Sequence, residues 1–242
     1  MRKKVLITGS SKGIGASIAK VLSKDYDVFL HGRNEQNLIK LANEINAKGY
    51  SVIDLCSENA STKLFDEANK NLGQIDILIN NAGAYFYGEV EKTSQADINK
   101  LLTLNTKIPY ELISLCVNNM KKNNFGRIVN IGSISGAVGE AHASLYSMTK
   151  SALIGLTKAL ALELAQNNIT VNTINPGFVQ TDLLENTFDK DFTKEELLDI
   201  IPQTRFIEPI EIANFIKYII SNEAKGLTGQ SINLCAGMSV GG

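Results

Sequence analysis

The sequence predicts a single α/β domain with a doubly wound, mostly parallel sheet of seven strands and helices on both faces. Short runs rich in β-branched and apolar residues alternate with longer stretches of helical periodicity along the whole chain. No proline-rich, low-complexity or charged tract divides the 242 residues, so one domain, 1–242, is expected. The residues that bear chemistry follow the ends of six predicted strands, which is where doubly wound sheets bind ligands.

The strands are predicted in chain order at 3–8, 27–31, 50–55, 75–80, 127–132, 170–175 and 231–234. One helix is predicted to begin at residue 14, a second to contain Leu38, Leu41 and Ile45, and a third to lie between the third and fourth strands. Further helices are predicted at 96–122, 144–166, 190–201 and 209–221. Strands that alternate with helices pair in parallel through right-handed crossovers. The helix at 144–166 is apolar around much of its circumference, so we expect a second copy of the chain to cover it in a homodimer.

The bulk composition argues against several classes of protein. A formal net charge of -1 offers no general basic surface for nucleic acid. The apolar run that follows basic residues 2–4 is too short for a signal peptide or a membrane span, and no later segment is long enough to span. Cys56, Cys116 and Cys235 are far apart and lack zinc-like spacing, which predicts free thiols, no metal site and a cytoplasmic protein.

A glycine-spaced turn follows the first strand, with Gly9, Gly13 and Gly15 in the pattern G-x-x-x-G-x-G. Glycine lets the main chain approach a pyrophosphate, and a helix that begins near Ile14 presents free N–H groups to the phosphates. The turn, including Ser11, therefore predicts a dinucleotide site. The alternative is a plain glycine-rich turn.

The ends of the second and third strands bear on the choice of cofactor. A carboxylate after the second strand would bind the adenosine ribose and select NAD, but this chain has Arg33. Arg33, together with Lys12 of the glycine turn, can clamp a 2′-phosphate, so we predict NADP(H). The alternative is that both cations are simply exposed. After the third strand, Asp54 beside Leu55 can accept from the adenine amino group, or can form a turn.

Tyr146 and Lys150 stand four residues apart, so they share a face of the predicted helix, with Ser133 a short distance upstream. A lysine ammonium beside a phenol stabilises the phenolate, so we expect Lys150 to lower the pKa of Tyr146. Such a tyrosine exchanges a proton with an alcohol or a carbonyl near neutral pH. The arrangement predicts hydride transfer at a carbonyl carbon, with Tyr146 handling the proton. Taken alone, the pair would be ordinary surface residues.

Two further stretches face the same predicted edge of the sheet. Asn81, Ala82 and Gly83 follow the fourth strand along the expected path of the cofactor, and the alternative is a structural turn. Pro109 lies four residues after Asn105, and proline has no N–H to bond the Asn105 carbonyl. We expect a kink there and a free acceptor that can hold a water. The alternative is a proline tolerated by local packing.

Taken together, these motifs resemble the short-chain dehydrogenases/reductases over essentially the whole chain; the matching residues are Thr8, Gly9, Gly13, Ile14, Gly15, Asp54, Leu55, Asn80, Asn81, Ala82, Gly83, Asn105, Ser133, Tyr146, Lys150, Pro176, Gly177 and Thr181. The resemblance implies a Rossmann-type dinucleotide-binding and catalytic domain, commonly a homotetramer. It implies that Ser133 binds the substrate oxygen, Tyr146 donates the proton, and Lys150 tunes Tyr146 and holds the nicotinamide ribose. Asn105 would hold a water linked to Lys150. The stretch Pro176, Gly177, Val179 and Thr181 would grip the carboxamide, and residues 183–205 would form a substrate lid.

Within the family, segments 126–133, 169–172 and 227–230 are most similar to the 3-oxoacyl-[acyl-carrier-protein] reductases of fatty acid biosynthesis. This implies a carbonyl substrate that is a small molecule or is bound to a carrier protein. An acidic carrier needs basic residues near the entrance, and we consider Arg127 for that role. Segment 166–168 lacks the usual basic residue, and Cys235 begins an unusual C-terminal motif, so another ketone, sugar or secondary-metabolite alcohol stays open.

Smaller questions concern the substrate pocket and the class of protein. Tyr85, Phe86 and Tyr87 line an apolar pocket or belong to the core, and His142 lies near the mouth or simply in an exposed loop. A rival from another class is a regulatory protein that senses NADP(H) without chemistry. Such a protein is free to discard Ser133, Tyr146 or Lys150, but this chain retains all three.

Overall fold

The structure, a computed structural model, describes residues 2–185 and 193–240, in which seven strands form a parallel sheet in the order β3-β2-β1-β4-β5-β6-β7. The strands are β1 (Lys4–Ile7), β2 (Asp27–Gly32), β3 (Gly49–Val52), β4 (Ile77–Asn80), β5 (Gly126–Ile131), β6 (Ile169–Pro176) and β7 (Ser231–Leu234). All seven predicted strands are confirmed. Their ends differ from the predicted ones by up to three residues.

Helices connect the strands: α1 (Gly13–Leu22), α2 (Glu35–Ile45), α3 (Ala60–Leu72), α4 (Gln95–Leu102), α5 (Ile108–Lys122), α6 (Ile134–Val138), α7 (Ser144–Leu164), α8 (Asp182–Glu185), α9 (Lys194–Asp199) and α10 (Pro209–Ile219). The stretch predicted as one helix at 96–122 is two, because a π-helical turn at Thr103–Lys107 separates α4 from α5. The short helices α6 and α8 were not predicted.

Alternate residues of each strand face opposite layers of helices. In β1, Val5 and Ile7 pack in one cluster with α1, α2 and α10, whereas Leu6 packs in the other with α3, α5 and α7. All three side chains are fully buried, and each such burial stabilises the fold by about 1.5–3 kcal/mol. The sheet is therefore held from both sides, as the sequence predicts.

The strand order reverses at β1, because the chain proceeds outward through β2 and β3 and then returns to place β4 on the other side of β1. Such a reversal opens a crevice at the carboxyl ends of the strands. The segments that follow β1, β2, β3, β4, β5 and β6 all lead into this edge. The fold therefore brings together stretches that are far apart in sequence.

Two kinds of feature are absent from residues 2–185 and 193–240. No helix there is both long and apolar enough to cross a membrane. No cluster of three or more His, Cys, Asp or Glu side chains within those ranges is placed to hold a metal ion. The three cysteines are free thiols, of which Cys56 is exposed and Cys116 and Cys235 are buried.

Candidate active site

Two adjoining spaces open at the carboxyl edge of the sheet. A cleft of about 810 Å³ lies over the glycine turn and the ends of β2 and β3. A cavity of about 590 Å³ lies over the ends of β5 and β6 and the first turns of α7. They share five residues in their walls: Ile14, Asn81, Gly83, Ala84 and Thr181. Every predicted site residue lines one or both spaces, apart from Gly15 and Asn105, which are buried.

The glycines of the turn are required by its geometry. Gly9 and Gly13 adopt φ angles of +65° and +56°, in the left-handed region that side chains disfavour. A Cβ added to Gly15 would lie 2.4 Å from the Gly9 carbonyl oxygen, and one added to Gly9 would lie 2.9 Å from Ala82 Cα. The main chain is therefore bare where it borders the cleft. This fits a ligand whose phosphates bind backbone N–H groups.

Asn81 ties the glycine turn to the end of β4. Its Nδ2 donates to the carbonyl oxygens of Thr8 and Gly9, each at 2.9 Å. In return, Thr8 Oγ1 accepts from the N–H groups of Asn81 and Ala82, each at 3.0 Å. The interpretation as a structural turn therefore holds for Asn81, which also borders both spaces.

His31, which was not predicted as a site residue, holds the glycine turn through a hydrogen bond. Its Nδ1 accepts from the Gly9 N–H at 3.2 Å, and its Nε2 donates to the Ile53 carbonyl at 3.0 Å. Burial lowers the pKa of His31 from 6.5 to about 4, so the ring is neutral at neutral pH. The signal in the sequence is a histidine inside an apolar strand, directly before Gly32 and Arg33.

Acid is expected to weaken the fold through His31. The folded-state pKa is the lower one, so the unfolded chain binds the proton first and stability falls as pH drops from 6.5 towards 4. The loss attributable to His31 amounts to about 3 kcal/mol at the lower end of this window. Urea unfolding across the window is expected to show a shallower pH dependence for His31→Gln than for wild type. His142→Gln, a change in an exposed loop, should keep the wild-type slope, and equal slopes for all three proteins would contradict the assignment.

Ser133, Tyr146 and Lys150 meet at one wall of the cavity. Ser133 caps the N-terminus of α6, where its Oγ accepts from the Ser135 N–H at 3.2 Å. Tyr146 and Lys150 lie one turn apart near the start of α7, with the Lys150 Nζ 5.7 Å from the centroid of the Tyr146 ring. The three side chains that the sequence proposes for the chemistry are therefore brought together.

The expected lowering of the Tyr146 pKa is wrong for this structure. Burial raises the pKa of Tyr146 to about 12, although a hydrogen bond with Ser133 lowers it and the charge of Glu140 raises it further. Lys150 does not offset this burial: its Nζ donates to the Ile131 carbonyl at 2.8 Å, and burial lowers its own pKa to about 8. Tyr146 is consequently protonated at neutral pH, which is the form that donates a proton.

Asn105 lies in the π-helical turn, four residues before Pro109, where the sequence predicts that regular helix geometry fails. Its buried side chain accepts from the Ala84 N–H at 2.9 Å and donates to the Ala84 carbonyl at 2.9 Å and to Thr149 Oγ1 at 3.1 Å. Asn105 therefore fixes the loop after β4 against α7. Its predicted role in holding a water stays a prediction.

The walls of the cavity are mostly apolar, as is typical of pockets that bind small molecules. Tyr85 and Tyr87 line it, as does His142, which is exposed with its ring 5.5 Å from that of Tyr87. Phe86 instead packs beside Gly88. Of the predicted lid at 183–205, residues 186–192 lie outside the described residues, while other parts, including Leu197, border the cavity.

Arg127 is not available to a carrier protein, contrary to the role considered above. It is 3% exposed at the start of β5, at the opposite edge of the sheet from the cavity. Its guanidinium lies 4.4 Å from the centroid of the Phe125 ring, and Nη1 donates to the carbonyls of Gly126 and Asn168. The residue stabilises the base of the sheet.

Comparisons with known proteins agree with the geometry. The family described as short chain dehydrogenase matches residues 3–191. Nodulation protein G from a Rhizobium species is 35% identical over 98% of this chain and 97% of its own. A 3-oxoacyl-[acyl-carrier-protein] reductase from Staphylococcus aureus is 33% identical over 98% of both chains.

A solved structure of an actinorhodin polyketide ketoreductase variant with NADPH superimposes with a TM-score of 0.93 at 30% identity, covering 99% of this chain and 98% of the other. The similarity thus extends over the sheet, the cleft and the cavity, and is not limited to a nucleotide-binding half. The family match alone spans most of the chain. The chain belongs to the short-chain dehydrogenase family and is an oxidoreductase that uses a nicotinamide cofactor.

Proposed function

We propose that the chain is an NADP(H)-dependent reductase that transfers a hydride between the nicotinamide and a ketone or secondary alcohol, with a 3-oxoacyl thioester as the substrate. The observation that carries this proposal is the meeting of Ser133, Tyr146 and Lys150 on one wall of an apolar cavity that adjoins the glycine-walled cleft. The names of the relatives, among them 3-oxoacyl-[acyl-carrier-protein] reductases, support the substrate class.

The cleft suits the phosphorylated cofactor. Arg33 stands after β2, where a carboxylate would favour NAD, and Lys12 and Lys100 also line the cleft. Lys12 now pairs with Asp182 at 3.0 Å, but both side chains are more than half exposed, so a phosphate can compete for the lysine. Asp54 lines the cleft, and its Oδ1 accepts from the Cys56 N–H at 2.9 Å. Both interpretations of Asp54, as an acceptor for the adenine amino group and as a turn residue, are therefore compatible with these contacts.

When bound, the cofactor supplies a hydride to the carbonyl carbon and is itself oxidised. Side chains of the protein bind and protonate the carbonyl oxygen of the substrate. We assign to Ser133 a hydrogen bond to the carbonyl oxygen and to the Tyr146 hydroxyl the proton that converts the alkoxide to the alcohol. Lys150 would restore that proton and hold the nicotinamide ribose. The buried Tyr146 phenol is a far stronger acid than an alcohol, so the transfer is downhill.

The second candidate is the reduction of another small ketone, sugar or secondary-metabolite alcohol. The burial of Arg127 favours it, because no basic residue at that position faces an acidic carrier protein. Both candidates share the same proton donor and differ only in what fills the cavity. Action in fatty acid biosynthesis and docking of a carrier protein belong to the first candidate only.

We propose that the chain forms a homotetramer, or at least a homodimer. Exposed apolar side chains on α5 and α7 support this, with Tyr110 59%, Met148 51% and Leu162 85% exposed. A two-fold axis that packs these helices against their copies would cover them. The cytoplasmic location stays a prediction.

The test is reduction by the purified protein. We expect the absorbance of NADPH to fall when an acetoacetyl thioester is added, and to fall less with a panel of unrelated ketones and aldehydes. A faster loss with another member of the panel would favour the second candidate. Tight binding of NADPH without turnover of any substrate would contradict both and favour a cofactor sensor.

A further inference from the structure

A carboxylate stands in the wall of the cavity, held by two hydroxyl groups. Glu140 accepts from the Tyr85 hydroxyl at 2.7 Å through Oε1 and from Ser135 Oγ at 2.5 Å through Oε2. Ser135 Oγ is in turn hydrogen-bonded to Ser133 Oγ at 3.1 Å. The carboxylate is therefore two hydrogen bonds away from the hydroxyl assigned to the substrate oxygen.

Tyr85, which donates to Glu140, also contacts the proposed proton donor Tyr146. The ring of Tyr85 packs edge-on against the ring of Tyr146, with 4.9 Å between their centroids. Both rings and Glu140 border the cavity. Glu140 therefore borders the cavity close to the two side chains, Ser133 and Tyr146, to which the carbonyl oxygen of a substrate is assigned.

No cation neutralises this charge within the part of the chain that the structure describes. None of the ion pairs found there includes Glu140. Lys150, the one lysine or arginine among the described lining residues, donates to the Ile131 carbonyl. His142 also borders the cavity, but its ring lies against Tyr87 in an exposed loop. A negative potential therefore remains in an apolar space, where charge interactions are stronger than in water.

We propose that Glu140 makes the cavity select substrates by their charge. The cavity then accepts neutral 3-oxoacyl esters and thioesters and rejects free 3-oxo acids. A free 3-oxo acid carries its carboxylate two carbons from the ketone, so the two carboxylates would lie close together when the ketone reaches Ser133 and Tyr146. Like charges brought together in this way oppose binding. An ester or thioester presents no charge at that position. The inference rests on the proposed function and narrows its substrate class.

The test compares acetoacetate with its methyl ester, which lacks the charge and adds one methyl group, with NADPH at neutral pH. We expect kcat/KM of the wild-type protein to favour the ester by about tenfold or more. In Glu140→Gln, which keeps the shape of the side chain, we expect this preference to shrink by about tenfold, because kcat/KM for the acid rises. Tyr85→Phe, which removes a hydroxyl but leaves the charge, should retain a preference for the ester.

Glu91→Gln removes a charge from an exposed site outside the cavity and is the matched control, whose preference should equal that of the wild type. A wild-type protein that reduces acid and ester equally well would overturn the inference, whether or not Glu140→Gln folds. An unchanged preference in folded Glu140→Gln would overturn it as well. Failure to reduce any ester, thioester or acid would instead overturn the proposed function.

Discussion

Tyr146→Phe is expected to reduce ketones at least about 10³-fold more slowly than the wild-type protein, with little change in folding or in NADPH affinity. The substitution removes a single oxygen, the one that we propose as the proton donor. Without it the alkoxide must take a proton from water in a cavity whose walls are largely apolar. The measurement is kcat for a 3-oxoacyl thioester, together with a binding titration of NADPH.

Tyr85→Phe is the matched control, because it removes a phenolic oxygen from the same cavity, on a ring in contact with Tyr146. We expect Tyr85→Phe to turn over at least about 100-fold faster than Tyr146→Phe. If the two variants lose turnover equally, the proton donor has been assigned to the wrong residue. A Tyr146→Phe protein that no longer binds NADPH would indicate a role in cofactor binding.

Arg33→Asp is expected to weaken NADPH binding by about 100-fold and to reverse the preference in favour of NADH. The change removes the charge-assisted hydrogen bond that we propose between Arg33 and the 2′-phosphate, and it places a carboxylate against that phosphate. The same carboxylate can accept from the ribose hydroxyls of NADH. The measurement is the Kd of each cofactor by fluorescence titration at fixed ionic strength.

Lys40→Asp is the control for Arg33→Asp, because it makes the same charge reversal at an exposed position on α2 outside the cleft. It should keep the wild-type preference. If Arg33→Asp still prefers NADPH, the 2′-phosphate is bound elsewhere, and Lys12 and Lys100 become the residues to change.

The sequence was sufficient for the fold because its signals are local. Alternating residues in β1 divide between the two layers of helices, and the glycines of the first turn stand where only glycine fits. Once the strands are placed in parallel, their carboxyl ends must share an edge. That is why Arg33, Ser133 and Tyr146 could be assigned to one region from sequence alone.

The properties that could not be predicted from the sequence depend on tertiary contacts. The i,i+4 spacing places Lys150 beside Tyr146, but it does not reveal that the ammonium donates to Ile131 or that burial raises the Tyr146 pKa. His31 and Glu140 have partners 22 and 55 residues away, respectively, which no local pattern indicates. Arg127 looked like a surface cation, yet a neighbouring phenylalanine ring and two carbonyls hold it inside.

Isotope labelling of the transferred hydride tests the proposed reaction most directly. Purified protein is supplied with an acetoacetyl thioester and with NADPH deuterated at the transferred position, and the product is examined by mass spectrometry. We expect the wild-type protein to form a 3-hydroxyacyl thioester with a single deuterium on the former carbonyl carbon, and we expect this product to be almost absent with Tyr146→Phe. Oxidation of NADPH without deuterium in the alcohol, or equal labelling by both proteins, would contradict the proposed reaction.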